Sequence, residues 1–178
     1  MTEIEVLKDV VRRLDKIDIE YMISGSIAMN FYATPRMTRD IDIVVVIEKS
    51  DIDKIFSEFK NDYYVDDEMI RDAFDNNSMF NIIHTKEIVK IDFIIRKNNE
   101  YRLLEFSKKR KIKLDETDIY VVSIEDLIIS KLYWAKDSFS SIQIRDIKNL
   151  LNCKVNRIYL KEWIEKLELK EIYSEVIK

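Results

Sequence analysis

The sequence contains one cysteine and one histidine in 178 residues. Cys153 alone cannot form an internal disulfide, and it excludes a zinc site built from several cysteines. His84 alone excludes a histidine-rich metal site, and no serine or cysteine nucleophile pattern lies near it. We therefore expect Cys153 to pack among helices and His84 to lie in a strand or turn. The chemistry of the protein must be sought among its carboxylates and basic side chains.

Long apolar runs are also missing. No uninterrupted apolar stretch approaches the length that a bilayer requires, and the N-terminus has no signal-peptide pattern, so we expect a cytoplasmic protein without a membrane partner. The 30 basic residues nearly balance the 34 acidic ones, with a net charge of -4. This balance argues against binding nucleic acid through bulk charge. The basic run at 108–111 indicates either a solvated helix end or loop, or a local basic patch.

Glycine and proline occur once each, and both lie between residues 21 and 46. Gly25 and Ser26 interrupt a short β-prone run, and helical character follows from 27 to 32, which predicts a strand-to-helix turn. Free N–H groups at a helix start bind anions, and glycine lets a phosphate come close to the backbone. Pro35 should help to end the short helix. The turn is therefore a candidate phosphate site.

Two aspartates, Asp40 and Asp42, lead directly into a β-branched run at 43–47 that is typical of a buried strand. Residues two apart on a strand point to the same face, so these carboxylates should project together. A later apolar segment, 88–95, carries Lys90 and Asp92 as its only charges. Clustered carboxylate oxygens suit divalent cations such as Mg²⁺. Any one of these aspartates alone would be explained equally well as a solvent-facing residue.

Three basic side chains have two interpretations each. Arg36 and Arg39 fall in a polar loop at 34–39, where a guanidinium either contacts phosphate or is simply solvated. Lys131 borders the apolar stripe of a predicted helix at 127–136, which opens from a capping-box-like start at 123–126. Its ammonium group either reaches out to water or points into the active cleft.

The order of predicted elements defines the fold class. Strand and helix patterns alternate from 20 to 122, and the rest of the chain is helical, which predicts an α/β (α+β) protein. Strands at 78–85 and 88–96 should form a hairpin that brings the second beside the strand of Asp40 and Asp42. We predict a core at 1–122 and a helical part at 123–178, packed together as one compact unit.

The combination of Gly25-Ser26, Asp40-Ile41-Asp42 and Lys90-Ile91-Asp92 resembles the nucleotidyltransferases of the DNA polymerase β superfamily. More narrowly, it is similar to the AbiEii-type enzymes, the toxin half of type IV toxin–antitoxin pairs. The stretch RMTRDIDIVV, with thirteen residues between Ser26 and Asp40, is the most specific part. The resemblance covers about 21–151 and implies a polymerase β-like core with a mixed sheet.

The resemblance also implies roles for residues. Two Mg²⁺ ions would be bound by three carboxylates, those of Asp40, Asp42 and Asp92. Asp92 would also activate the acceptor hydroxyl. Lys90 or Lys131 would offset charge on the departing pyrophosphate. The nucleoside triphosphate (NTP) would be bound by residues in the turn, the loop and the later helix: Gly25, Ser26, Arg36 and Asp146. Arg39 is a further candidate, because a guanidinium in this loop matches phosphate.

A later motif of the family, RxKD, falls on 143–146. Gln143 stands where an arginine is expected, Arg145 keeps the charge of the lysine, and Asp146 is retained. The missing arginine puts the acceptor or nucleotide contacts at this end of the site in question. It does not affect the three aspartates that would bind the metal.

The implied reaction moves a nucleoside monophosphate (NMP) from an NTP to a hydroxyl group. The acceptor is open: a tRNA 3′ end, a protein, or a small molecule such as an aminoglycoside. A toxin would have a cognate antitoxin as partner. The alternative is a catalytically silent antitoxin or protein-binding module with the same fold, against which the intact Asp40, Asp42 and Asp92 argue.

Overall fold

The computed structural model of the protein describes residues 2–38, 40–138 and 140–178, with the backbone alone at 137 and 138. Within these ranges the strands form one mixed sheet. They are β1 (Glu20–Ile23), β2 (Asp40–Val46), β3 (Tyr63–Tyr64), β4 (Met79–His84), β5 (Lys90–Ile95), β6 (Arg110–Leu114) and β7 (Thr117–Val121).

The seven strands lie in the order β3-β4-β5-β2-β1-β7-β6. The pairs β2–β5 and β1–β7 are parallel, and the other neighbouring pairs are antiparallel. The predicted α/β class with a mixed sheet is confirmed. The hairpin β4–β5 also places β5 beside β2, as the sequence predicted.

Several helices begin at polar residues that cap free backbone N–H groups. Thr2 and Glu5 form a reciprocal capping box, and the Asp66 carboxylate accepts from the N–H groups of Glu68 and Met69. Within the described ranges, no helix is both long and apolar enough to span a membrane. The helices are α1 (Glu3–Lys16), α2 (Gly25–Met29), α3 (Ile52–Phe59), α4 (Asp67–Asp75), α5 (Glu100–Ser107), α6 (Ile124–Ser138), α7 (Ser141–Leu151), α8 (Arg157–Lys166) and α9 (Lys170–Ile177), with one turn of 3₁₀ helix at Lys49–Asp51.

One hydrophobic cluster extends from Val6 in α1 to Val176 in α9 and includes the central strands. Cys153 is partly buried against this cluster, as expected for a cysteine packed among helices. The position of His84 is also confirmed. It is buried at the end of β4, where its Nδ1 accepts from the Glu87 N–H at 3.1 Å.

Alternate burial along β2 fixes which of its faces carries the carboxylates. Ile41, Ile43 and Val45 are buried in the core, so Asp40 and Asp42 lie on the opposite face. A slip of one residue would turn both carboxylates into the core at a large desolvation cost. The hydrophobic pattern of the strand therefore holds the two aspartates in place.

Two elements differ from the sequence predictions. Helix α2 begins at Gly25 and ends at Met29, earlier than the predicted 27–32, and its C-cap residue is Asn30. Its amide group accepts from the Arg36 N–H and donates to the Arg36 carbonyl, both at 3.0 Å. Strand β3 was not predicted, since its two residues are too few to show a period of two.

The basic run at 108–111 lies largely in ion pairs and ring contacts. Lys109 pairs with Glu20 at 2.9 Å, and Lys111 with Asp118 at 2.8 Å. The Lys108 ammonium lies 3.7 Å from the centre of the Tyr159 ring. This partnering favours the first interpretation, a charged protein surface, over a free basic patch.

Candidate active site

The site begins with four charged side chains on the paired strands β2 and β5. In the parallel register Asp40 lies beside Lys90, and Asp42 lies beside Asp92. Since register partners point to the same side and residues two apart share a face, the four groups form a compact array. The sequence separately predicted both pairs, and the register brings them together.

Lys90 connects the two strands electrostatically. Its Nζ lies 2.8 Å from Asp92 Oδ2 and 3.9 Å from Asp40 Oδ1. The hydrogen bond to Asp92, and then the charges of Asp92, Asp40 and Asp42, raise the pKa of Lys90. The ammonium group therefore remains charged at neutral pH and neutralises part of the carboxylate cluster.

Asp92 is the most buried member of the array, with 5% of the residue exposed. Its Oδ2 accepts a hydrogen bond from the Lys90 ammonium group. Its Oδ1 is buried and has no hydrogen-bond partner among the residues that the structure describes. A buried carboxylate oxygen without a partner is costly, so this atom is a functional candidate.

Gly25 lies in close contact with Asp42. Gly25 has a φ of 61°, in the left-handed region, and a Cβ at this residue would overlap Asp42 Oδ2. The Ser24 N–H also donates to the Asp42 carbonyl at 2.9 Å. Only glycine satisfies both the backbone conformation and the contact, which explains why the single glycine of the chain stands here.

Burial changes the acidity of Asp42. Desolvation, followed by the nearby charge of Asp92, raises its pKa to about 6, while the charge of Lys131 acts in the opposite direction. A bound cation would favour the ionised form, as Lys131 does. The carboxylate is thus prepared to bind positive charge.

A second cluster lies next to the turn and is centred on Asp146. The Arg36 guanidinium donates through Nε and Nη2 to Asp146, at 3.1 Å and 3.0 Å, and through Nη2 to Ser26 Oγ. Lys131 Nζ donates to Asp146 Oδ2 at 2.9 Å and to Gln143 Oε1 at 3.1 Å. Residues from α2, the following loop, α6 and α7 therefore form one polar network.

Burial governs the charges in this network. Asp146 is fully buried and Lys131 is 4% exposed. Burial opposes ionisation of Asp146, but the hydrogen bonds from Arg36 and Lys131 hold its pKa below the usual value. Burial lowers the pKa of Lys131, against the pull of Asp146. The pair remains favourable because each charge has a hydrogen-bonded counterpart.

The structure thus divides the residues predicted for the site between two neighbouring clusters. One predicted orientation of Lys131, with its ammonium group in water, is wrong. The side chain is buried and contacts Asp146 and Gln143. The resemblance implied a nucleotide contact for Asp146, but both its oxygens are engaged by Arg36 and Lys131. Arg39 lies outside the described residues.

Two further residues were not assigned to the site from the sequence. Asn30 fixes the backbone of Arg36, and Gln143 shares Lys131 with Asp146. Gln143 had been noted only as a departure from a motif, and here its side-chain oxygen accepts where an arginine could only donate. No sequence pattern marked Asn30, whose partner is a backbone six residues away.

The described ranges contain no group of three His, Cys, Asp or Glu side chains that could hold a metal ion unaided. Mg²⁺ is commonly held by one or two carboxylates together with substrate phosphates. Asp40 and Asp42, beside the Gly25 turn, suit an ion of that kind. Asp92 is less suited to bind the ion, because one of its oxygens already accepts a hydrogen bond from the Lys90 ammonium group.

Comparison with known proteins identifies the fold. No protein-family model matches the chain, and no curated protein matches it. Among solved structures, an antigenic nucleotidyltransferase-like protein from Paracoccidioides brasiliensis has a TM-score of 0.62 and 17% identity, covering 95% of this chain and 90% of that one.

Two antibiotic-modifying enzymes are also similar. ANT(2″)-Ia in complex with adenylyl-2″-tobramycin has a TM-score of 0.60 at 13% identity, over 98% of this chain and 99% of that one. The lincosamide antibiotic adenylyltransferase LnuA, bound to lincomycin, has a TM-score of 0.52 at 15% identity, over 84% of this chain and 96% of that one. The chain therefore has the nucleotidyltransferase fold; the comparisons do not single out the AbiEii type.

Proposed function

We propose that the protein is a metal-dependent nucleotidyltransferase that moves an NMP from an NTP to a hydroxyl acceptor. The observation that carries this proposal is the register of β2 and β5. It sets Asp40 and Asp42 beside Lys90 and Asp92, at the point where the glycine turn contacts Asp42. On a nucleotidyltransferase fold, this arrangement unites carboxylates with a turn that suits phosphate.

The nucleotide side of the site comprises Gly25, Ser26 and Arg36. Gly25 admits the Asp42 carboxylate to the start of α2, and Arg36 brings a positive charge to the Ser26 hydroxyl. Because Asp146 and Asn30 fix Arg36 from two sides, its position is set before substrate binds. Such preorganised charge is effective in stabilising the charge that develops on phosphates during transfer.

Asp40 and Asp42 would hold the divalent cation that accompanies the triphosphate, and their oxygen ligands favour Mg²⁺. When bound, this ion neutralises phosphate charge and makes the phosphorus easier to attack. The burial of Asp42 strengthens its interaction with a cation, because the local dielectric is low.

In the transfer, the acceptor oxygen forms a bond to the α-phosphorus. The bond from that phosphorus to the oxygen bridging to the β-phosphate breaks, and pyrophosphate leaves. We propose that Asp92 accepts the proton of the acceptor hydroxyl, because its Oδ1 has no hydrogen-bond partner within the described part of the chain. This oxygen is buried, so the side chains that cover it must shift when the acceptor binds. Lys131, which is hydrogen-bonded to Asp146, would act on the site by its positive charge from a longer distance.

Three acceptor classes follow from the sequence and the fold: a small hydroxyl compound, a tRNA 3′ end or a protein. Similarity in fold to two antibiotic adenylyltransferases is the reason that we test the small molecule first. A tRNA or protein acceptor would instead indicate a toxin that a cognate antitoxin controls. The acceptor class therefore decides between a resistance-type enzyme and a toxin.

The test is transfer of label from each α-³²P-labelled NTP, with Mg²⁺, to an aminoglycoside panel, total tRNA or cell-extract protein. We expect one acceptor class to be labelled, and an Asp40→Asn/Asp42→Asn variant to label none. The chain offers a matched control, because Asp51-Ile52-Asp53 repeats the same tripeptide at the start of α3. The Asp51→Asn/Asp53→Asn variant should transfer label like the wild type.

Calorimetry with each NTP and Mg²⁺ gives the independent measurement. If the wild type binds no Mg·NTP and labels no acceptor, the proposal is wrong, and the alternative of a silent binding module replaces it.

A further inference from the structure

We infer that the Lys90 ammonium takes the place of a metal ion on the acceptor side of the site, so that the protein uses a single divalent cation. This inference rests on the proposed function and specifies the charge arrangement that carries it out. It departs from the two-ion arrangement implied by the sequence resemblance.

The position of Lys90 is the first observation. Its Nζ lies between two of the three carboxylates, 2.8 Å from Asp92 Oδ2 and 3.9 Å from Asp40 Oδ1. A second metal ion shared by the aspartates would need these same oxygens. An ammonium and a divalent cation cannot occupy one small space, because like charges at that distance repel strongly.

The backbone register favours this placement. Lys90 is the register partner of Asp40 across β2 and β5, and it is two residues before Asp92 on one strand. Strand geometry alone therefore directs the lysine to both carboxylates. A surface lysine would need a long, flexible approach, whereas this one begins beside its partners.

The burial of Asp92 gives a separate reason. Only 8% of its side chain is exposed, while 54% of the Asp40 side chain is exposed. A buried carboxylate needs a charge partner within the protein, and Lys90 supplies one. A hydrated ion such as Mg²⁺, which keeps several waters, fits the end of the array where Asp40 is exposed better than the enclosed Asp92.

The same arrangement assigns different tasks to the two oxygens of Asp92. Oδ2 is held by Lys90, and Oδ1 has no protein partner in the described ranges. The ammonium thus fixes the carboxylate through one oxygen, while the hydrogen-bonding capacity of the other, buried oxygen is unused in the described part of the chain. Lys90 acts here as a positioning residue that also supplies positive charge.

The experiment counts ions directly. Mn²⁺ binding is measured by electron paramagnetic resonance, in the presence of a saturating non-hydrolysable NTP analogue. We expect one Mn²⁺ per wild-type chain and two per chain of a Lys90→Met variant, in which Asp40 and Asp92 lose their internal cation. Lys90→Arg retains the charge and should bind one ion.

Lys111→Met is the matched control, since Lys111 also pairs with a strand aspartate, Asp118, at 2.8 Å but away from this array. It should leave the count at one. Two ions in the wild type would overturn the inference, and so would a folded Lys90→Met variant that still binds one. The wild-type count remains decisive if Lys90→Met does not fold.

Failure of the proposed function has a different signature. In that case the wild type binds neither the NTP analogue nor nucleotide-dependent Mn²⁺. Binding of the analogue with two ions contradicts only the inference about Lys90.

Discussion

Gly25 and Asp42 lie so close together that the Oδ2 atom of Asp42 occupies the space where any other residue at position 25 would carry its Cβ. The contact joins the turn before α2 to the strand β2 that follows it in the chain. It is reinforced by the hydrogen bond from the Ser24 N–H to the Asp42 carbonyl. A side chain at position 25 would therefore displace the Asp42 carboxylate.

A Gly25→Ala substitution should destabilise the protein and abolish nucleotide binding. The left-handed backbone alone costs an alanine about 1–2 kcal/mol, and the overlap with Asp42 adds to that. Urea unfolding and calorimetry measure the two effects. In an Asp42→Gly background the overlapping atoms are absent, so the same substitution should cost less; equal costs in both backgrounds would show that the contact is unimportant.

The raised pKa of Asp42 predicts a dependence of stability on pH. Since the folded pKa of about 6 exceeds the ordinary value of 3.8, the native state binds the proton more tightly than the unfolded state. The contribution of Asp42 to the free energy of unfolding is therefore greatest at low pH and falls between about pH 4 and 6. Two pKa units correspond to about 3 kcal/mol at most.

Urea unfolding of the wild type and Asp42→Asn, with EDTA present, checks this sign. Titrating groups that do not interact with Asp42 cancel in the difference between the two proteins. The variant should gain stability relative to the wild type as the pH rises from 4 to 6, and the difference should be level above 7. A difference independent of pH contradicts the assignment.

Loss of the Asp146 charge should be severe. Asp146→Asn leaves Arg36 and Lys131 without their common carboxylate in a buried setting, and removing one member of a buried ion pair costs roughly 3–5 kcal/mol. Urea unfolding measures the loss. A control is the exposed helical pair Glu162–Lys166 at 2.8 Å, where Glu162→Gln should have no measurable effect. Similar small effects for both variants would mean that the network contributes little.

The Ser26 hydroxyl should matter for substrate binding. Ser26→Ala removes the oxygen that accepts from Arg36. If that arginine faces phosphate, a hydrogen bond to a charged group is lost, and the NTP dissociation constant should rise about tenfold. Ser24→Ala is the natural comparison, because the neighbouring serine makes no side-chain cap bond within the described residues. Equal affinities for the two variants would remove Ser26 from the site.

Sequence patterns predicted the elements that have a clear period or strong punctuation. The β-branched run after Asp42, the lone glycine and the apolar strand with Lys90 and Asp92 each have a local physical cause, so β2, the turn and β5 were found. The two-residue strand β3 was missed because it is held by pairing with β4, which no local pattern reports.

The second cluster was beyond local patterns for a similar reason. The hydrogen bonds between Arg36 and Asp146 join residues 110 apart in the sequence. A single sequence shows that both residues are charged, but it does not show that they are partners. The burial of Lys131 could not be predicted either, because its helix borders the core along a stripe that also admits an exposed lysine.

The link between Arg36 and Asp146 has a consequence for the order of events during protein synthesis. The ribosome releases β1, α2, β2 and β5 well before α7, so the sheet and its carboxylate array can assemble while Asp146 has yet to be added. Until then the Arg36 guanidinium has no carboxylate to fix it beside Ser26. We expect a nascent chain stalled before α7 to bind no NTP and one stalled beyond α7 to bind it, which ribosome-bound chains with a labelled nucleotide would reveal.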